Sequence, residues 1–244
     1  MNKVSDFRGR EIAFLGKNLF PYRGYTIGNS KNLEQLKKIL RHKDQPYNTY
    51  VTMAKYSEMP RFPLNQTQRW PQFKEWVTTR DQTITKIDFI LDFDSKPTIK
   101  GLTEAWQDVK TALTMLNMII GKQTKYLTIW FSGNKGFHIL GKIKVTTTAQ
   151  DIINQQIKIA LQLAPLCPTL DTSIYDTARL RKLLGSHVYS DNFGKTRVIP
   201  ISNDQEFNEL ITALKTKNNT KYFEDKTLLS TNNITLQLQG QNES

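Results

Sequence analysis

The sequence predicts a mixed α/β (α+β) domain with a mixed sheet at its centre, and three stretches carry that prediction. Ile87-Asp88-Phe89-Ile90-Leu91-Asp92-Phe93-Asp94 is an apolar run with acids at its end, the pattern of a strand against a core. Behind it, Leu102, Trp106, Val109, Leu113, Leu116 and Ile120 recur at three- and four-residue steps, a helix over 101–121 that Gly121 is suited to stop. Tyr126 to Phe131 then reads as a buried strand and Phe137 to Val145 as its hairpin partner. Strands and helices continue to alternate, so helices should pack on a sheet within one continuous domain.

The remaining elements follow in order. Residues 10–15, Arg-Glu-Ile-Ala-Phe-Leu, form a short strand, and Tyr22 to Ile27 a second. A helix begins near Ser30 with Leu33, Leu36, Ile39 and Leu40 on one face, and Pro46 closes it; Lys31, Lys37, Lys38, Arg41 and Lys43 make its other side a solvated, basic one. Asn48 to Tyr56 reads as a strand leading into Arg61-Phe62-Pro63 and Arg69-Trp70-Pro71-Gln72-Phe73-Lys74-Glu75-Trp76. Aromatics among cations can stack bases of a single strand, or the segment can be a loop that tucks its rings under the sheet. Trp76 suits the second reading, while Arg69 and Trp70 leave both open.

A helix from a Thr148 cap to Ala164 has Asp151 favourably placed in its first turn, and Pro165 ends it. A polar, basic stretch to Gly185, a strand Thr196 to Ile201 and an amphipathic helix through Phe207, Leu210, Ile211 and Leu214 complete residues 1–217, a single domain. From 218 to 244 the composition turns to Asn, Gln, Thr and Ser, a polar tail with Ile234 to Leu238 as an edge strand.

Composition narrows the class. Thirty-four Lys and Arg against 22 Asp and Glu give a formal net charge of +12, which draws polyanions, nucleic acid first among them. The single Cys167 and three scattered histidines do not match zinc-ligand spacing, so no structural zinc is expected. No signal-type segment and no run of about 18 apolar residues occurs, so an intracellular, soluble protein without a membrane partner is expected.

The chemistry gathers at three places. On a strand Asp92 and Asp94 point the same way with Cα atoms about 6.6 Å apart. Carboxylates that close repel unless a cation neutralises them, and a hard divalent ion, Mg²⁺ or Mn²⁺, suits oxygen ligands. In the loop Ser132-Gly133-Asn134-Lys135-Gly136 the glycines let backbone approach a ligand, while Ser132, Lys135 and His138 supply a hydroxyl, a point charge and an imidazole donor. Such a segment alone is as well read as a tight hairpin; the acidic strand some 40 residues earlier favours a phosphate cradle. The third place is Leu170-Asp171 and the basic run Arg179, Arg181, Lys182. Asp171 beside the first pair would let two metal ions sit ~3.5–4 Å apart. Asp176 is a weaker candidate, suited to a local pairing with Arg179.

These residues resemble a known family. Asp92-Phe93-Asp94, Ser132 through His138 and Leu170-Asp171 are similar to the DxD, SGxxGxH and hydrophobic-Asp motifs of the archaeo-eukaryotic primase superfamily, in that order. Arg10-Glu11-Ile12-Ala13-Phe14 and Asp176-x-x-Arg179-Leu180 through Gly185-Ser186 resemble segments of the replicative primase small (catalytic) subunit and of primase-polymerase cores. The chain departs from the family in lacking a zinc-binding insertion and in Leu184, where a proline is frequent.

The resemblance implies a primase-type core with an RRM-like sheet that joins ribo- or deoxynucleoside triphosphates on a single-stranded DNA template. It implies Asp92, Asp94 and Asp171 as ligands of two Mg²⁺ or Mn²⁺ ions. Ser132, Gly133, Lys135, Gly136 and His138 would meet the incoming nucleotide, and Arg179, Arg181 and Lys182 belong to the family's basic segment. A primase large subunit, a helicase or a polymerase would be separate chains. The rival expectations are a non-catalytic nucleic-acid-binding replication subunit and a metal-dependent nuclease.

Overall fold

The strand that carries the acids is the longest of the fold, β5, Ile84–Asp94, and the rest is arranged on its two faces and two edges. The computed structural model describes residues 9–15, 21–26, 48–58, 66–144, 148–176, 179–216 and 219–226. The expected helix from Ser30, the Arg61-Phe62-Pro63 segment and the Ile234–Leu238 strand lie outside the described residues.

Among the described residues eleven strands form three sheets. A four-stranded sheet takes β1 (Glu11–Leu15), β2 (Pro21–Thr26), β3 (Asn48–Thr52) and β8 (Leu180–Lys182) in the order β2-β1-β3-β8. A five-stranded sheet joins β4 (Ala54–Tyr56), β5, β6 (Thr128–Phe131), β7 (Gly136–Lys144) and β11 (Ile199–Pro200) in the order β11-β6-β7-β5-β4. β9 (His187–Ser190) and β10 (Gly194–Arg197) pair as a hairpin. The mixed α/β class stands, but every described pairing is antiparallel where a mixed sheet was expected. The β6–β7 hairpin sets that direction, because a four-residue turn cannot return a strand parallel to itself.

On one face of β5, Phe89, Leu91 and Phe93 are buried with Phe131, Phe137 and Ile139 against α2, Ile99–Ile120. Thr98 caps that helix by accepting from Gly101 N, and Gly121 ends it at φ +55°. Trp106 is core as expected: it stacks on Phe207 of α4 (Asp204–Lys215) at 5.1 Å, and its indole N–H donates to Asp204 at 2.6 Å. Residues 220–226, within the stretch read from sequence as tail, form a short helix, α5, whose Phe223 is buried in this same core.

Three expected elements differ, each for a local reason. Asn48–Tyr56 is two strands because Met53 belongs to both sheets: its N–H donates to Arg179 O at 2.9 Å and its carbonyl accepts from Asp88 N at 3.0 Å. Thr196–Ile201 breaks at Val198, and the second piece is an edge strand where Pro200 needs no N–H partner. The aromatic segment is a helix, α1 (Gln66–Thr79), with Pro71 inside it. Weak helix formers hold that shape because Trp76 packs edge-on to Tyr56 at 5.0 Å, while Trp70 stacks on Phe73 at 5.5 Å and is 40% exposed. β6, expected to be buried, has only Phe131 fully so.

Beyond β4, the outer edge of β5 would present bare backbone, and other segments satisfy it. Gln156, buried on α3 (Ala149–Leu163), accepts from Ile90 N at 3.2 Å and donates to Asp88 O at 3.4 Å. Thr169 O accepts from Asp94 N and Asp171 N donates to Asp92 O, both at 2.8 Å. The Gln156→Leu protein is therefore expected to lose about 1–3 kcal/mol of stability, because two buried backbone groups lose their partner; an unchanged urea midpoint would show that β5 does not depend on this amide. Among the described residues no helix is long and apolar enough to cross a membrane.

Candidate active site

Asp88, Ile90, Asp92 and Asp94 alternate onto the face of β5 opposite the helical core. Register brings His138 of β7 beside Asp92, and Trp130 of β6 beside His138. The imidazole Nε2 lies 3.2 Å from Asp92 Oδ1. The backbone bond from Asp171 to Asp92, together with a bridge between Phe93 and Leu170, draws the third acid alongside. Asp171 is held in turn by Ser173, whose N–H and hydroxyl donate to Oδ1 at 2.8 and 2.6 Å. Asp92, Asp94 and Asp171 thus each offer a carboxylate oxygen within 4.8 Å of the others. Asp176 is not in this group and is exposed, its carbonyl accepting from Arg179 N.

The loop from β6 to β7 and the strand β8 bring cations to these acids. Lys135 Nζ reaches Asp94 Oδ2 at 2.6 Å, and Lys182 Nζ donates to Ser132 O at 2.9 Å. A cavity of about 160 Å³ is lined by Asp92, Asp94, Ser132, Lys135, His138, Arg179, Arg181 and Lys182, with Tyr50, Ile90, Ile174 and Leu180 completing the wall. The glycines serve the hairpin's own packing. Gly133 adopts φ +87° against Val188, and Gly136 lies so close to Phe93 O that a Cβ would meet it at 1.7 Å.

The electrostatics separate the two strand acids. Burial pushes Asp92 up, but the charge and hydrogen bond of His138, with Lys182 and Lys135 behind, outweigh it and hold the carboxyl below its usual value. Asp94 is raised, by burial first and then by the charge of Asp92, which together exceed the pull of Lys135. Lys182 is lowered by burial, against which Asp94 and Asp92 act. Several buried polar atoms here have no hydrogen-bond partner among the described residues: Ser132 Oγ, His138 Nδ1, Tyr175 OH and Arg181 Nη1. Unpartnered groups of both donor and acceptor type around one cavity are what a polar ligand would satisfy.

Three clustered carboxylates suit a hard divalent cation such as Mg²⁺ or Mn²⁺. The raised value of Asp94 gives that binding a sign. Its proton is fully retained, and stabilises the fold, below the ordinary carboxylate range; that contribution is lost as the pH rises through the elevated value. The ionised form that a cation needs grows over the same window. Mn²⁺ is therefore expected to bind more weakly as the pH falls through the elevated value, with proton release on binding; an affinity in an electron paramagnetic resonance titration that is unchanged from neutral pH down to the ordinary carboxylate range would show that binding does not displace a proton from Asp94.

Sequence reasoning singled out Asp92, Asp94, Asp171, Ser132, Gly133, Lys135, Gly136, His138, Arg179, Arg181 and Lys182; eight of them line the cavity, Asp171 joins it through its cluster with Asp92 and Asp94, and Gly133 and Gly136 pack against Val188 and Phe93 in the hairpin. The structure also adds residues that were not singled out. Tyr50 comes from β3, and its register opposite Lys182 has no local sequence signal. Tyr175 is four residues beyond Asp171, and both Asp92 and Asp171 act on its phenol.

No family model and no curated protein sequence matches the chain. Among solved structures, the crystal structure of primase RepB′ is 11% identical with a TM-score of 0.41, covering 88% of this chain and 62% of that one. The AEP domain of the primase-polymerase of cyanophage S-2L is 11% identical with a TM-score of 0.44, covering 83% of this chain and 89% of that domain. The chain thus spans less than two thirds of the RepB′ chain, and likeness at this level does not identify it with either.

Proposed function

We propose that the protein is a template-directed nucleotidyltransferase, a DNA primase or primase-polymerase that joins ribo- or deoxynucleotides on single-stranded DNA. One observation carries this reading: Asp92 and Asp94, clustered with Asp171 so that their carboxylates lie within 4.8 Å of one another, share a small cavity with Lys135, His138, Arg179, Arg181 and Lys182. A nuclease or a phosphatase also needs clustered acids, but cations packed this closely around them suit a ligand carrying several phosphates.

Asp92, Asp94 and Asp171 would hold the divalent metal. When bound, it supplies charge neutralisation and Lewis acidity to the attacking and leaving oxygens of an in-line displacement. The chain's own residues do the rest by positioning. Lys135, Lys182, Arg179 and Arg181 bind the triphosphate, and Ser132 Oγ and His138 Nδ1 complete its hydrogen bonds. The 3′-hydroxyl of the growing strand attacks the α-phosphorus, the bond to the bridging oxygen breaks, and pyrophosphate leaves. No side chain forms a covalent intermediate. Tyr50 and Ile174, on the cavity wall, narrow the space and exclude water.

The test is incubation of the protein with unprimed single-stranded DNA, Mg²⁺ or Mn²⁺, and labelled ribo- or deoxynucleoside triphosphates supplied separately. New short strands are expected. Extension of a primed template alone assigns a polymerase that a separate primase subunit or helicase must assist. Shortening of end-labelled DNA without nucleotides overturns the reading in favour of a nuclease, and inertness on every substrate overturns it in favour of a binding subunit.

A further inference from the structure

Asp88 belongs to the same row as Asp92 and Asp94 but lies outside the acidic cluster, buried and engaged by two arginines. Its Oδ1 accepts from Arg10 Nη2 at 2.7 Å and its Oδ2 from Arg181 Nε at 3.1 Å. The two guanidinium groups are not equivalent. Arg10 also donates through Nη1 to Thr52 O at 2.7 Å and Met53 O at 2.8 Å, which fixes it to the backbone where the two sheets meet. Arg181 lies over the Trp130 ring, 5.1 Å from its centroid, and its buried Nη1 has no partner among the described residues.

Two guanidinium groups share one carboxylate, so Asp88 alone does not compensate both charges. Burial works against the charged form of Arg181, and so does Arg10; Asp88 is what opposes them. A buried cation with an idle donor is costly unless an anion completes it. Arg181 lines the cavity of Asp92, Asp94, Ser132 and Lys135, and Trp130 beneath it is in register with His138 and Asp92. An anion in that cavity would complete it.

Resting on the nucleotidyltransferase reading, we infer that Asp88 is a positioning residue: it anchors the Arg181 guanidinium over Trp130 so that Nη1 is presented to the phosphates of the incoming nucleoside triphosphate. With Nε on a carboxylate and its carbon over an indole, the guanidinium is held at two points, and the planar fork suits phosphate oxygens.

Equilibrium binding of a fluorescent nucleoside triphosphate to the full chain, with melting temperature alongside, tests this. Arg181→Met is expected to raise the Kd about 10- to 100-fold, with a melting temperature equal to or above that of the parent because a buried charge with only a shared counter-ion is gone. Asp88→Asn is expected to raise the Kd about tenfold in the parent and less than about twofold in the Arg181→Met background, since Asp88 acts through Arg181. In turnover the loss falls on KM more than on kcat.

An unchanged Kd for Arg181→Met, or equal factors for Asp88→Asn in the two backgrounds, overturns the inference. If Asp88→Asn does not fold, Asp88→Glu, which keeps the charge and moves it by a methylene, is read by the same comparison. Absence of nucleotide binding by the parent is a separate result that overturns the proposed function itself.

Discussion

The Asp92→Asn protein is expected to lose nucleotide incorporation by about 10³-fold or more, roughly 4 kcal/mol of transition-state stabilisation, while melting close to the parent. The size of the loss follows from where the charge sits. Asp92 belongs to the acidic cluster, its carbonyl accepts from Asp171 N, and it shares a face of the strand with Asp94. It is also the acid whose ionised form the surroundings favour. An amide of the same shape offers a metal one neutral oxygen in place of a carboxylate.

Two opposed effects on stability keep the fold. The favourable interaction of the ionised Asp92 with His138 and the lysines is lost, a contribution present above the ordinary carboxylate pKa and absent below the depressed one. Repulsion between Asp92 and Asp94 is relieved at the same time. Incorporation on a primed template, Mn²⁺ binding and thermal melting measured together decide the matter. Wild-type activity in a well-folded variant would falsify the assignment of the site.

The acids were legible because a strand writes its faces into the sequence at period two, and Asp92 and Asp94 at the end of an apolar run leave little choice of partner face. Asp171 was reachable only as a third acid at a suggestive place; what fixes it, a backbone bond from its N–H to Asp92 O, is invisible in residue types. The Asp88 pair was hidden for a similar reason. Its arginines come from 78 residues before and 93 after, and inside an apolar run Asp88 reads as one more polar position on the open face.

The breaks at Met53 and Val198 were illegible because propensity continues across them while hydrogen bonding does not. Met53 bonds toward Arg179 on one side and Asp88 on the other, and Val198 exchanges bonds with Gly185 and Ser186. The helix α1 ran against its own composition, with tertiary contacts of Phe73 and Trp76 deciding the outcome. The helix α2, by contrast, is written in its period and its terminal glycine, although the Thr98 cap starts it at Ile99, two residues before the expected Gly101.

Gly136→Ala is the second substitution expected to act strongly, and its cause is contact, not charge. The added methyl would stand 1.7 Å from Phe93 O and 2.8 Å from Phe93 C, atoms of the β5 backbone that cannot move aside as a side-chain tip can. β7 must therefore lift away from β5 at the Gly136–Asp94 pair, taking with it the bond from Ser132 N to Gly136 O. A cost of about 3 kcal/mol is expected from such overpacking. A shift of about 1 Å at Asp94 and Ser132 costs about 10²-fold in turnover, beyond any loss due to unfolding. Gly194→Ala is the control. It too replaces a glycine in a tight turn, at φ +69°, but nothing lies within 4 Å of the new methyl. It is expected to cost about 1 kcal/mol of backbone strain and leave activity intact. Assayed well below both melting temperatures, an active Gly136→Ala protein would mean that the close approach of β7 to β5 does not set the geometry of the acidic site.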